Sequence, residues 1–152
     1  MAEFSYNKNL VKIPAREVDA GSGIKGRTNP TLTYMSNELV PGSNIYIELG
    51  WIWEVPDPNP HILAHSHEDY DEVVLHIGAD PRNPEYLGAE IEFEVDGEKL
   101  VVDKTSALYV PKGVKHGPVT WKKVTRPHIQ MAIVLGAGSI KQANPAGYVK
   151  PQ

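Results

Sequence analysis

The sequence predicts an all-β protein, an antiparallel sandwich or barrel, and two observations carry that reading. Helical periodicity is nearly absent, because thirteen glycines and thirteen prolines in 152 residues interrupt almost every window long enough for a helix. Between them run short stretches in which apolar and polar residues alternate, the period of a half-buried strand. Many short strands separated by turns pack as two antiparallel layers or close into a barrel.

The elements follow in order. Residues 1–30 are loop-rich. The first strong alternation, SNIYIELGWIWEV at 43–55, sets Ile45, Ile47, Leu49, Trp51 and Trp53 on one face and Tyr46 and Glu48 on the other. One of the two faces should wall an interior, and the pattern does not say which. The ordinary expectation is core packing for the tryptophans and solvent for Glu48. A strand is expected at 72–77 (EVVLHI), then a hairpin at 90–102 (EIEFEVDGEKLVV). Its Asp96-Gly97 dipeptide accepts the positive φ angles of a two-residue turn. Further strands are expected at 106–110, 117–124 and 128–135, and QANPAGYVKPQ reads as a tail. No repeat, low-complexity block or linker divides the chain, so a single domain over residues 1–152 is expected.

Composition narrows the function. Hydrophobic residues make up 41% and charged residues 22%, the balance of a globular protein. A net charge of -4 argues against a nucleic-acid binder. The absence of cysteine removes disulfides, thiolate metal sites and thiol nucleophiles together. The start, MAEFSYNKNLVKI, does not read as a signal peptide, and no apolar run approaches a membrane span. A cytoplasmic protein with no membrane partner is the expectation. GSGIKG at 21–26 matches a dinucleotide glycine pattern, but no strand leads into it and Pro30 stops any helix after it. It reads as a turn, as does Gly136-Ala137-Gly138.

Four of the six histidines, His61, His65, His67 and His76, fall in one short span. On a strand, residues two apart share a face and lie ~7 Å apart along it, so His65 and His67 can converge on one ion. Glu72 follows a polar EDYD bend, opens the next strand and is placed to bring a third donor. The competing reading is a solvated His-x-His loop. Downstream, YVPKGVKHGP at 109–118 holds a tight turn at Pro111 and Gly113, with His116 three residues beyond the glycine.

H-x-H-x4-E followed by P-x-G-x-x-H, in that order and in an all-β chain, resembles the cupin superfamily over roughly residues 40–136. The resemblance implies a double-stranded β-helix, or jelly-roll barrel, with its core at about 40–136 and a loop-rich N-terminal segment. It also implies one metal ion held by His65, His67, Glu72 and His116. Glycines that often begin the two motifs are Asn59 and Thr105 here, and the asparagine that often ends the second is Thr120. These departures touch turns and leave all four ligand types in place.

The other candidates sort by distance. His76 lies four residues beyond Glu72, ~13 Å along a strand and too far to share its ion. His61 stands in the same relation to His65 and is expected at the surface or rim. His128 and Gln130 share a face of the last strand and are pocket candidates, with Tyr46 and Trp53. A three-histidine, one-glutamate set suits iron(II), manganese, nickel, cobalt or zinc, and its open positions invite a chelating, oxygen-rich small molecule. No separate general base is evident, since Glu72 is a ligand and Glu68, Asp69 and Asp71 read as a solvated loop. The expectation is a metal-dependent enzyme of dioxygenase, isomerase or lyase type. The alternative is a non-catalytic binding module, which more often comes fused to a second domain. Apolar Val73, Leu75 and Ile77, opposite the Glu72 face, point to a two-fold homodimer.

Overall fold

Alternation of side chains becomes ten strands in the computed structural model, which describes residues 5–143 and 147–149. They are β1 (Ala15–Glu17), β2 (Lys25–Arg27), β3 (Thr31–Met35), β4 (Ile45–Asp57), β5 (Asp71–Gly78), β6 (Tyr86–Val95), β7 (Glu98–Lys104), β8 (Ser106–Val110), β9 (His116–Val124) and β10 (His128–Leu135). A 3-10 turn at Asn7–Asn9 and the one-turn helix α1 (Ile140–Ala143) are the helical pieces among the described residues. Among them no helix is long and apolar enough to cross a membrane.

Two antiparallel sheets result. The larger runs β1-β3-β4-β10-β5-β8, with β2 also paired to β4, and the smaller runs β7-β6-β9. The hairpin forms where expected: Asp96 at φ 48° and Gly97 at φ 83° turn the chain between Val95 and Glu98. Ile52 and Val74 of the larger sheet meet Leu87, Ala89, Ile91, Phe93, Val119 and Trp121 of the smaller one in a buried core. Each such side chain contributes on the order of 1.5–3 kcal/mol by leaving water. The two sheets face each other across this core as a jelly-roll barrel.

The inner face of the larger sheet is a grid. Register aligns Tyr46, Val134 and Glu72 in one row, then Glu48, Ala132 and Val74, then Gly50, Gln130 and His76, then Ile52, His128 and Gly78. Successive rows lie ~7 Å apart along the strands. That spacing decides which polar residues meet.

The structure departs from expectation in three places. The segment 1–30 is not only loop: β1 and β2 lie within it, and together with β3 they extend the barrel wall well before residue 40 (residues 1–4 lie outside the described residues). The two faces of β4 are inverted. Trp51 and Trp53 are 40% and 46% exposed while Tyr46 and Glu48 are buried, because register sets the even residues over the barrel interior. Nor is the end simply a tail. Val149 donates its N–H to the His61 carbonyl oxygen at 2.9 Å, and Ile62 bridges both Tyr148 and Val119, so residues 147–149 add an edge to the smaller sheet. Residues 144–146 and 150–152 of that stretch lie outside the described residues.

Candidate metal centre

The two sequence motifs are joined by backbone hydrogen bonds. His65 and His116 exchange N–H to carbonyl bonds at 2.8 Å each, and the Gly113 N–H donates to the His67 carbonyl oxygen at 2.6 Å. Gly117 makes this approach available. Its φ is 84°, and a Cβ there would sit 2.6 Å from the Leu63 carbonyl oxygen. Asp71 Oδ1 accepts the Lys112 N–H at 2.9 Å and ties the first motif to the P-x-G turn.

His65, His67, Glu72 and His116 thereby converge, each offering a ligand atom within 4.8 Å of every other. His67, Glu72 and His116 are buried and His65 half-buried. Nδ1 of His65 lies 2.8 Å from the Leu63 carbonyl oxygen, and Nδ1 of His116 lies 3.0 Å from that of Val114. A carbonyl only accepts, so each Nδ1 carries the hydrogen and each Nε2 presents a lone pair inward. Glu72 Oε2 then faces His116 Nε2 at 2.8 Å and His67 Nε2 at 3.2 Å. Acceptors converging this closely need a cation among them, a proton or a metal ion. The donor set therefore fits a divalent metal.

Electrostatics show the same demand. Burial works to raise the Glu72 carboxyl, but hydrogen bonds with His116 and His67 outweigh it and hold the pKa at about 2. Burial opposes charge on His116, and the Glu72 carboxylate overcomes that and raises it. His65, with burial the largest influence, is lowered.

The cluster opens into a cavity of about 60 Å³ whose wall includes Tyr46, Glu48, Phe93, Val119, Gln130 and Tyr148. Of the four pocket candidates, Tyr46 and Gln130 line it. Trp53 does not, since it lies on the outer face of β4. His128 does not either, because it sits three rows from Glu72, where its Nε2 accepts the Trp121 indole N–H at 3.1 Å. His76, two rows from Glu72, packs beside Phe93, Trp121 and His128. His61 is the clearest correction. It is 0% exposed and stacks on Trp121 with ring centroids 4.8 Å apart. Strand spacing does not apply to it, because residues 61–65 contact their neighbours through isolated bridges.

Two residues of this region, Tyr148 and Arg27, went unread in the sequence, and a third, Glu48, was expected in solvent. Glu48 is buried, with Tyr148 donating to Oε1 at 2.7 Å and the Tyr46 hydroxyl 3.0 Å from Oε2. Burial raises its pKa most, Glu72 adds to that, and the two tyrosines and Arg27 act against it. Burial pushes both phenols up, and Glu48 pushes them further. Arg27, 2% exposed, donates from Nη2 to Thr31 Oγ1 at 2.9 Å and lies 5.6 Å from the Tyr148 ring centre. The signals were faint: a glutamate on a strand with tryptophans, an arginine in a glycine-rich turn, and a Gly-Tyr-Val triplet near the end.

No protein-family model matches the sequence, and no curated protein matches it. Solved structures do match in fold. A variant of Streptomyces PAC13 with uridine is 11% identical over 93% of this chain and 88% of that one, with a TM-score of 0.51. Recombinant oxalate oxidase in complex with glycolate is 11% identical over 84% of this chain and 60% of that one, also at 0.51. An RmlC-like cupin from Shewanella frigidimarina is 16% identical over 90% and 93%, with a TM-score of 0.49. The chain shares the overall fold of the PAC13 and oxalate oxidase structures, and it carries a three-histidine, one-glutamate cluster at the barrel's pocket. At such identities the likeness concerns fold alone.

Proposed function

We propose that this chain is a metal-dependent enzyme acting on a small, oxygen-rich molecule. The observation that carries the reading is the convergence of lone pairs from His65, His67, Glu72 and His116 at the wall of a pocket. These four would hold a divalent ion, with iron(II), manganese, nickel, cobalt and zinc all suited to the set. When bound, such an ion supplies a positive centre that polarises an oxygen of the ligand.

The chain's own residues do the rest. Carbonyl oxygens of Leu63 and Val114 hold the imidazoles in one tautomer. Ile62, Val74, Phe93 and Val119 line the pocket with apolar surface that excludes water. Gln130 and the Tyr148 hydroxyl bring polar groups to the same wall and would orient the ligand. The cavity's size favours a ligand of few heavy atoms, and glycolate and uridine in structures of the same fold support an oxygen-rich one.

Elemental analysis of purified protein tests this. His65→Ala, His67→Ala and His116→Ala should each lose most bound metal, while His76→Leu, altered in a deeper row, should retain it. Equal metal in all four would remove the site. Turnover of small hydroxy or keto acids by the loaded protein, followed with an oxygen electrode and by product analysis, separates an enzyme from a binding module.

We also propose a two-fold homodimer. The outward rows Ile47, Ile133, Val73 and Leu49, Met131, Leu75 are apolar across three adjacent strands, and half-buried in a single chain. Such a face favours cover by a second copy.

A further inference from the structure

We propose that Glu48 is the proton-transfer residue of the pocket, connected to solvent by a file of hydroxyls, Tyr46 and Thr33, that ends at Glu17. The proposal rests on the pocket reading above and adds to it the group that gives and takes protons.

Distances define the file. Thr33 Oγ1 donates to Glu17 Oε1 at 2.7 Å, Thr33 Oγ1 and the Tyr46 hydroxyl are 2.8 Å apart, and the Tyr46 hydroxyl is 3.0 Å from Glu48 Oε2. The path crosses the larger sheet from β1 through β3 to β4. Its outer end, Glu17, is half-exposed, and its inner end lines the cavity beside the metal cluster.

Counting hydrogens places one more proton in the file. Three links join Glu17, Thr33, Tyr46 and Glu48, but the two hydroxyls supply only two hydrogens. The Tyr148 hydroxyl hydrogen is already given to Glu48 Oε1, and Thr31 Oγ1 donates in turn to Tyr148 at 3.3 Å. The missing hydrogen belongs to a carboxyl at one end. Glu17 meets water, where a carboxylate is well solvated, whereas Glu48 is buried and pays for ionisation. Glu48 is therefore the neutral acid, donating to Tyr46, which donates to Thr33, which donates to Glu17.

The charged and titratable groups around Glu48 are Tyr46 on its own strand, Tyr148 from the C-terminal edge, Glu72 from β5 and Arg27 from β2. None forms an ion pair with it within 4 Å among the described residues. A concerted shift moves one proton. The Glu48 O–H bond breaks as the Tyr46 oxygen gains a hydrogen, Tyr46 passes its own to Thr33, and Thr33 passes its own to Glu17, which releases it to water. Glu48, now a carboxylate, can take a proton from a ligand in the pocket. The reverse sequence returns a proton to the ligand. Each step exchanges one O–H bond for another, and water is the only other reactant.

Infrared spectroscopy of chelator-treated protein at neutral pH is the test, so metal plays no part in it. The wild type should show the carbonyl stretch of a neutral buried carboxylic acid, and Glu48→Gln should abolish it. Transfer to heavy water should shift the band promptly in wild type. In Thr33→Val the shift should slow by roughly tenfold or more, since the hydroxyl file between Tyr46 and Glu17 is then broken. Thr33→Ser, which keeps the hydroxyl and guards against a mere folding defect, should restore the rate. Absence of the band, or its persistence in Glu48→Gln, overturns the protonated Glu48. Equal exchange in Thr33→Val and wild type overturns the route. Either failure leaves the metal content of the loaded protein as it was, so it is distinguishable from failure of the metal reading.

Discussion

Replacing His76 with leucine should protect this fold against acid. The imidazole is 2% exposed, its Nε2 has no hydrogen-bond partner among the described residues, and burial lowers its pKa from 6.5 to about 3, with His128 adding to the effect. The folded value lies below the unfolded one, so unfolding takes up a proton and stability falls as pH drops below 6.5. At pH 5 the unfolded imidazole is almost fully charged and the folded one neutral. From the two pKa values the penalty there is about 2 kcal/mol, against about 0.2 kcal/mol at pH 7. Leucine has similar bulk, leaves no orphan nitrogen and does not titrate. Urea unfolding of chelator-treated wild type and His76→Leu at both pH values gives the difference directly. Groups common to both proteins, including Glu48, His61 and His116, cancel in it. The variant's advantage should grow by roughly 2 kcal/mol between pH 7 and pH 5. An advantage that is the same at both pH values would show that His76 titrates alike in the folded and unfolded chains, and would refute the reasoning.

Two further outcomes follow from the proposed function. A chelator at neutral pH should lower the melting temperature of metal-loaded protein, because an ion at 100 times its dissociation constant stabilises by about 2.7 kcal/mol; superimposable melting curves, with the metal shown to be gone, would mean the ion adds nothing to the fold. Light scattering at micromolar concentration should give the mass of a dimer for the wild type and of a monomer for Leu75→Asp, a charge set in the middle of the outer apolar face; a monomeric wild type would end the dimer proposal.

Elements whose information is local were legible in the sequence alone. Strands at 43–55 and 90–102 declare themselves by a side-chain period of two, those at 72–77, 106–110, 117–124 and 128–135 by short apolar runs between turn signals, and Asp96-Gly97 declares its turn by tolerance of positive φ. Of the four residues that converge, spacing alone pointed to the His65 and His67 pair, and the full set with Glu72 and His116 was implied by the resemblance of the two motifs to the cupins. His65, His67 and Glu72 lie within eight residues, and His116 follows its own turn signal.

Tertiary structure decided everything that depends on which face of an element meets which neighbour. Period two tells that Tyr46 and Glu48 lie opposite Trp51 and Trp53, but a one-residue change of register would exchange the faces. Only pairing of β4 with β10 turns Glu48 inward and leaves the tryptophans outside. The same pairing sets His76 and His128 in deeper rows, away from Glu72. His61 is buried by a stacking partner sixty residues away, and Tyr148 reaches Glu48 from a hundred residues along the chain. No local pattern encodes such distances, because the contacts exist only once the two sheets have closed around their core.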